Sequence, residues 1–218
     1  MDKELNEIFG MVTIPTVTAK GLKTFATILK DKSATKAFFY QEKKMIVGFL
    51  SALQNTEGAE AKSLLVNALS SPMVVYGLLE NGQVEFVLDA LKALNSDQIT
   101  QIFSEENCIY GLIRNHQSAF VFDTLETMNS DQITQILSAP NAVWALAYND
   151  QAKFAVDTLN KLNNDQIAQI FSASSSAMSA LANNGYRDWV RNKRGEIAAM
   201  KAQQSTAAIQ PPKLTSMG

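Results

Sequence analysis

The sequence predicts an all-α protein, a right-handed α-solenoid built from tandem 34-residue repeats of three short helices. Two observations carry that reading. The decamer LNSDQITQIF at 94–103 returns as MNSDQITQIL at 128–137 and as LNNDQIAQIF at 162–171, an advance of 34 residues each time. Apolar residues around it recur at i, i+3, i+4 and i+7, the spacing of one helix face. A helical unit this short cannot bury its apolar face alone, so neighbours must stack to make a core.

The elements follow in order. In the best copy, residues 83–115, Val84, Val87, Leu88 and Leu91 form the buried face of a first helix; Phe120 to Leu125 and Phe154 to Leu159 take its place in the copies at 117–149 and 151–183. The second helix sets Ile99, Ile102 and Phe103 on one face. Asn95 as N-cap with Gln98 at the third helical position spells a capping box, repeated as Asn129/Gln132 and Asn163/Gln166. Asp97, Asp131 and Asp165 then meet the positive end of that helix. The third helix follows Ser104, Ser138 or Ser172, carries Tyr110, Trp144 or Met178, and closes on Asn115, Asn149 or Asn183, with Asn81 upstream. Asparagine suits the left-handed conformation at such a stop. Three helices per unit give an armadillo-like or pumilio-like arrangement with one concave surface.

Upstream the pattern fades. SSPMVVYGLLENGQ at 70–83 matches SEENCIYGLIRNHQ at 104–117, VGFLSAL at 47–53 echoes FVLDAL at 86–91, and a worn copy is read in SATKAFFYQ at 33–41. The organisation is therefore an N-terminal lead-in and basic first helix at 1–32, with an extended GMVTIPTVTAKG stretch, then diverged repeats at 33–82 and clear repeats at 83–183. A capping helix at 184–204 and a flexible, proline-containing tail at 205–218 complete it.

With 46% hydrophobic and 18% charged residues the chain can fill a core and is not of the disordered class. Lys/Arg stand nine to seven against Asp/Glu over 1–79, four to twelve over 80–165 and six to two over 166–218, local net charges of +2, −8 and +4. An acidic middle argues against wrapping a phosphate backbone. No run of eighteen apolar residues occurs, and Met1-Asp2-Lys3-Glu4 lacks a basic head before an apolar stretch. The expected location is the cytoplasm, or a host cytoplasm after delivery. Cys108 is the single cysteine and reads as a buried structural thiol.

The decamer resembles the first helix of the 34-residue repeat in transcription activator-like effectors: Leu94, Asp97, Gln98, Ile99, Ile102 and Ser104 match that pattern, over about the first third of each unit. The resemblance implies base-reading pairs at Glu105-Glu106, Ala139-Pro140 and Ala173-Ser174. Beyond the decamer the family continues with Gly-Gly-Lys and a long helix, where this chain has Asn107-Cys108-Ile109 and a break at Asn115-His116-Gln117.

Chemistry-bearing motifs are scarce. His116 is the only histidine, so neither a His/Cys zinc cluster nor a histidine-based triad can be assembled, and no Gly-rich phosphate loop, CxxC or HExxH is present. No cofactor or metal is called for. Two series stand out instead: Asp89, Asp123 and Asp157 in the first helices, and Tyr76, Tyr110 and Trp144 in the third. Rigid rings gain contact area at small entropic cost, and carboxylates suit a partner with a basic surface. The expectation is a protein-protein interaction module or adaptor, of the secreted bacterial effector type, more an interaction protein than an enzyme. A hydrolase-type Asp/Glu site in the groove is the alternative and nucleic-acid binding the third choice; the basic termini would be the place for membrane contact.

Overall fold

The computed structural model describes residues 12–13, 16–29, 43–71, 73–174 and 176–209. The 33–41 segment, Pro15, Lys30, Lys32, the Asn149 side chain and the tail beyond Ile209 lie outside the described residues.

The β-branched lead-in forms a hairpin of β1 (Val12–Thr13) and β2 (Thr16–Val17), antiparallel with Val12 opposite Val17. It folds back on the first helices, and the Val17 N–H donates to Thr56 Oγ1 at 2.7 Å. The rest is helical: α1 (Ala19–Leu29), α2 (Lys43–Asn55), α3 (Ala59–Leu69), α4 (Val74–Glu80), α5 (Val84–Lys92), α6 (Ser96–Phe103), α7 (Cys108–Arg114), α8 (Ser118–Glu126), α9 (Ser130–Leu137), α10 (Ala142–Leu146), α11 (Ala152–Leu159), α12 (Asn164–Ala173), α13 (Ala177–Leu181) and α14 (Arg187–Ile209). α14 runs into the stretch expected to be tail. Packing is periodic: α6, α9, α12 and α14 stack in one row, and α4, α7, α10 and α13 in another. Val87 and Val121, Leu91, Leu125 and Leu159, and Ile102, Ile136 and Ile170 fill one continuous core at repeat-equivalent positions.

All three capping boxes form. Asn129 Oδ1 accepts from the Gln132 N–H at 3.0 Å while Gln132 Oε1 accepts from the Asn129 N–H at 3.1 Å, and Asn95/Gln98 and Asn163/Gln166 do the same. The free end of the glutamine reaches backward: Gln132 Nε2 donates to Asp97 Oδ1 at 2.9 Å and Gln166 Nε2 to Asp131 Oδ1 at 3.1 Å. The aspartates thus serve two ends, the helix dipole of their own unit and the glutamine of the next. At the end of the row Gln204 of α14 reaches Asp165 at 3.5 Å, taking the place of a further repeat.

The ends of the third helices differ from expectation. The left-handed residue is the one after the asparagine, Gly82 at φ 74° and His116 at φ 61°, while Asn115 sits at φ −92°. The asparagines cap with their side chains instead: Asn81 Nδ2 donates to the Gly77 carbonyl at 2.6 Å and Asn115 Nδ2 to Gly111 at 2.9 Å. The amide gives a last-turn carbonyl a further donor, Gly111 also accepting the Asn115 N–H at 3.1 Å, without asking its own backbone to become left-handed. In the last unit Asn184, not Asn183, bonds the carbonyl four residues back, at Ala180. That fixes an advance of 35 residues there: Ala177, Ala180, Leu181 and Asn184 answer Ala142, Ala145, Leu146 and Asn149, so one residue has been added in the Ser172–Ser176 stretch. A widened π-turn at Ala147–Gln151 carries α10 into α11, whereas between α13 and α14 the backbone kinks at Asn184 and left-handed Gly185, φ 94°.

Two substitutions check this accounting. Asn129→Ala removes the acceptor for two N–H groups at the start of α9 and is expected to cost about 1 kcal/mol in urea unfolding. Thr158 Oγ1 is buried without a hydrogen-bond partner, whereas its repeat counterpart Thr124 donates to the Phe120 carbonyl at 2.7 Å. Thr158→Val should therefore stabilise by about 1 kcal/mol and Thr124→Val should not; equal shifts in the urea midpoint would show that the two hydroxyls are in the same state.

Candidate protein-interaction surface

Three of the third helices, α4, α7 and α10, begin after a residue held left-handed, Met73 at φ 68°, Asn107 at φ 62° and Asn141 at φ 66°, while Ser176 before α13 sits at φ −83°. The carbonyl of each left-handed residue receives the first helical bond, from Gly77, Gly111 and Ala145 at 2.8 Å each. Counting three and seven residues onward stays on one helix face. The face reads Met73, Tyr76, Glu80 on α4, then Asn107, Tyr110, Arg114 on α7, then Asn141, Trp144, Tyr148 on α10 and its π-turn.

Stacking the helices turns these triplets into three rows. In the first, Asn107 Nδ2 donates to Met73 Sδ at 3.2 Å and Asn141 Nδ2 to Asn107 Oδ1 at 3.0 Å. In the second, Tyr76 stacks on Tyr110 with ring centroids 5.9 Å apart, and Tyr110 tilts against Trp144 at 5.4 Å. In the third, Arg114 Nε lies 3.6 Å from Glu80 Oε1, and its Nη1 donates to the hydroxyls of Tyr76 at 3.2 Å and Tyr110 at 3.4 Å. Tyr148 stacks on Trp144 at 4.9 Å and closes the far corner. Glu80, then the two phenols, hold the Arg114 guanidinium even further into its charged form.

Gly111 makes the close approach of α7 to α4 workable. A Cβ there would stand 3.2 and 3.3 Å from Tyr76 atoms and 3.1 Å from Leu79, tighter than packed side chains tolerate without adjustment. The Tyr-Gly-Leu triplet therefore sets ring-on-ring contact between repeats.

The rings are half-buried, packed on the core on one side and open on the other. Among the described residues the exposed large apolar side chains are Met73, 42% exposed, and Tyr148, 63% exposed. Both belong to this face, at opposite corners. Sequence reasoning found Tyr76, Tyr110 and Trp144 and missed Met73, Arg114 and Tyr148, although repeat spacing placed them all. Met178 does not extend the aromatic row: after the added residue, exposed Ser179 answers Trp144 and Met178 packs on the core.

Asp89, Asp123 and Asp157 lie elsewhere, exposed on α5, α8 and α11. Lys92 approaches Asp89 at 3.9 Å and Lys153 bonds Asp157 at 2.6 Å. On the same helices Phe122 and Phe154, both half-buried, stack at 4.0 Å and link α8 to α11. Among the described residues no group of three His, Cys, Asp or Glu side chains is placed to hold a metal ion. The Glu196 carboxyl is held below its usual range, first by its hydrogen bond from Lys193. No single described helix is long and apolar enough to cross a membrane; the bent pair α3 and α4 matches by length and composition, but its apolar residues fill the core. Of the positions that the effector-repeat resemblance marks for base reading, Ala139 and Ser174 are buried.

Compared with known proteins, the chain matches no family model, no curated protein and no solved structure.

Cys108 is fully buried at the start of α7. Burial first, then Glu105, pushes its thiol well above the ordinary range. The folded chain keeps the proton where the unfolded thiol, with a pKa of about 8.5, gives it up. This contribution to stability is whole below that pH and declines above it, by about 1.4 kcal/mol per pH unit. Urea midpoints at about pH 8 and about pH 10 should fall further in the wild type than in Cys108→Ala, and parallel falls would show that the thiol ionises in place.

Proposed function

We propose that this chain is a protein-protein interaction module that holds a partner protein on the aromatic face of its third helices. The observation that carries the reading is the position of Met73 and Tyr148 at opposite corners of a continuous strip through Tyr76, Tyr110 and Trp144. Exposed apolar surface gathered into one patch on an otherwise polar molecule is what a docking site supplies. Tyr, Trp and Arg are the residues that dominate interface energetics, and here Arg114 is already oriented by Glu80 and two phenols, so little order remains to be imposed on binding. Asp89, Asp123 and Asp157 form a separate contact row suited to basic side chains. The supporting architecture is a right-handed solenoid of armadillo-like or pumilio-like units, with curvature following from the small rotation between repeats. Its role is that of an adaptor without catalysis, and its small, cysteine-poor repeat composition fits an effector that works in a reducing cytoplasm.

The test is direct. A partner captured by the intact chain is purified and titrated against the wild type and Trp144→Ala/Tyr148→Ala, with circular dichroism confirming equal helicity. Each ring is worth about 2 kcal/mol at an interface, so the double variant should bind at least ~30-fold more weakly. Equal affinity of the two proteins would remove the strip from the interface.

A further inference from the structure

Two faces of the chain are complementary in charge. On α14, Arg187, Arg191, Lys193, Arg194 and Lys201 stand against Asp188 and Glu196, a net of +3. Arg191 pairs with Asp188 at 3.0 Å and Lys193 with Glu196 at 2.8 Å. Arg187, Arg194 and Lys201 are left exposed and make no ion pair among the described residues. They are seven residues apart, on one helix face at about 10.5 Å intervals. The packed side of the helix borders this row: Val190 and Ile197, three residues on from Arg187 and Arg194, are buried, and Trp189 meets Phe171 at 6.3 Å and donates to Asn160 Oδ1 at 3.0 Å.

The first helices carry the counterpart. Over α5, α8 and α11 there are five carboxylates, Glu85, Asp89, Asp123, Glu126 and Asp157, against Lys92 and Lys153, a net of −3. Asp89, Asp123 and Asp157 repeat once per unit and are all exposed. The lysine partners of Asp89 and Asp157 are exposed neighbours on the same helix, and such pairs are worth little. Phe122, next to Asp123, and Phe154, one turn before Asp157, stack on each other at 4.0 Å and are half-buried.

We propose that a second copy of this chain occupies the aspartate row, its α14 lying across α5, α8 and α11 so that Arg187, Arg194 and Lys201 face Asp157, Asp123 and Asp89 in one direction or the other. The proposal rests on reading these aspartates as a contact row and is independent of the aromatic strip. Within one molecule α14 is packed on α12 and held at Asp165 by Gln204, so the row is open to another molecule. The contact joins two different patches, and head-to-tail association follows.

Sedimentation velocity of the full chain at about 0.1 M and about 1 M NaCl tests it, since the screening length falls from ~10 Å to ~3 Å over that range. The wild type should self-associate at the lower salt and dissociate at the higher. Asp89→Lys/Asp123→Lys/Asp157→Lys and Arg187→Glu/Arg194→Glu/Lys201→Glu should each self-associate at least ~10-fold more weakly, and their mixture should recover association, because each then offers what the other lacks. Asp123→Asn and Arg194→Gln, both at exposed positions, repeat the test should either triple variant fail to fold. Trp144→Ala/Tyr148→Ala should associate like the wild type. A wild type that stays monomeric at both salts, charge-reversed proteins that associate normally, or loss of association in the aromatic variant alone would each overturn the proposal.

Discussion

The side chain of Gln132 is pulled from two directions. Its Oε1 closes the capping box of α9, and its Nε2 holds Asp97 of the preceding unit. Starting the helix and setting the register between repeats are therefore one event, in one residue. A slip between units would leave the amide without its carboxylate, and a frayed helix start would move the amide away from it. The apolar layers supply most of the stabilisation, but Ile on Ile tolerates sliding, and a charge-assisted hydrogen bond of 2.9 Å does not. This explains why Asn, Asp and Gln return in the decamer with so little change while flanking positions vary.

A fixed register converts position within a repeat into position on a surface. Once α4, α7 and α10 are aligned, any side chain at one repeat position touches its counterparts, and the Tyr76, Tyr110 and Trp144 rings fall into contact without further design. The same logic ends the strip. One residue added before α13 rotates the helix, bringing Ser179 to the place of Trp144, while Ala177, Ala180 and Leu181 keep the core filled.

What the sequence revealed and what it hid divide along the range of the interactions. Capping boxes, apolar stripes and the lead-in were legible because each depends on residues within a turn or two. The backward reach from Gln132 to Asp97 was not, since both residues already had a sufficient local role. The left-handed starts at Met73, Asn107 and Asn141 were hidden for another reason: asparagine was expected left-handed at the helix ends, where it caps through its amide, and the left-handed place fell to Gly82 and His116. Of the candidate site, the centre was visible as recurring aromatics; its corners, where Met73 and Tyr148 break the residue type of their rows, required the register. Similarity of residue type finds what a repeat keeps, and here the face is defined as much by what it changes.

Met73 shows this most sharply. Asn107 and Asn141 take the left-handed conformation that asparagine tolerates, whereas a methionine there costs roughly 1 kcal/mol. The position asks only for an acceptor facing Asn107 Nδ2, and asparagine supplies one at the next step of the row, where Asn107 Oδ1 receives Asn141 at 3.0 Å. Nor is the core served, because the side chain is 42% exposed. Strain at an exposed position, spent on displaying a flexible thioether beside Tyr76, has an account in surface contact and none in folding. With Tyr148, 63% exposed, at the opposite corner, the two exposed large apolar side chains among the described residues delimit the proposed interaction face.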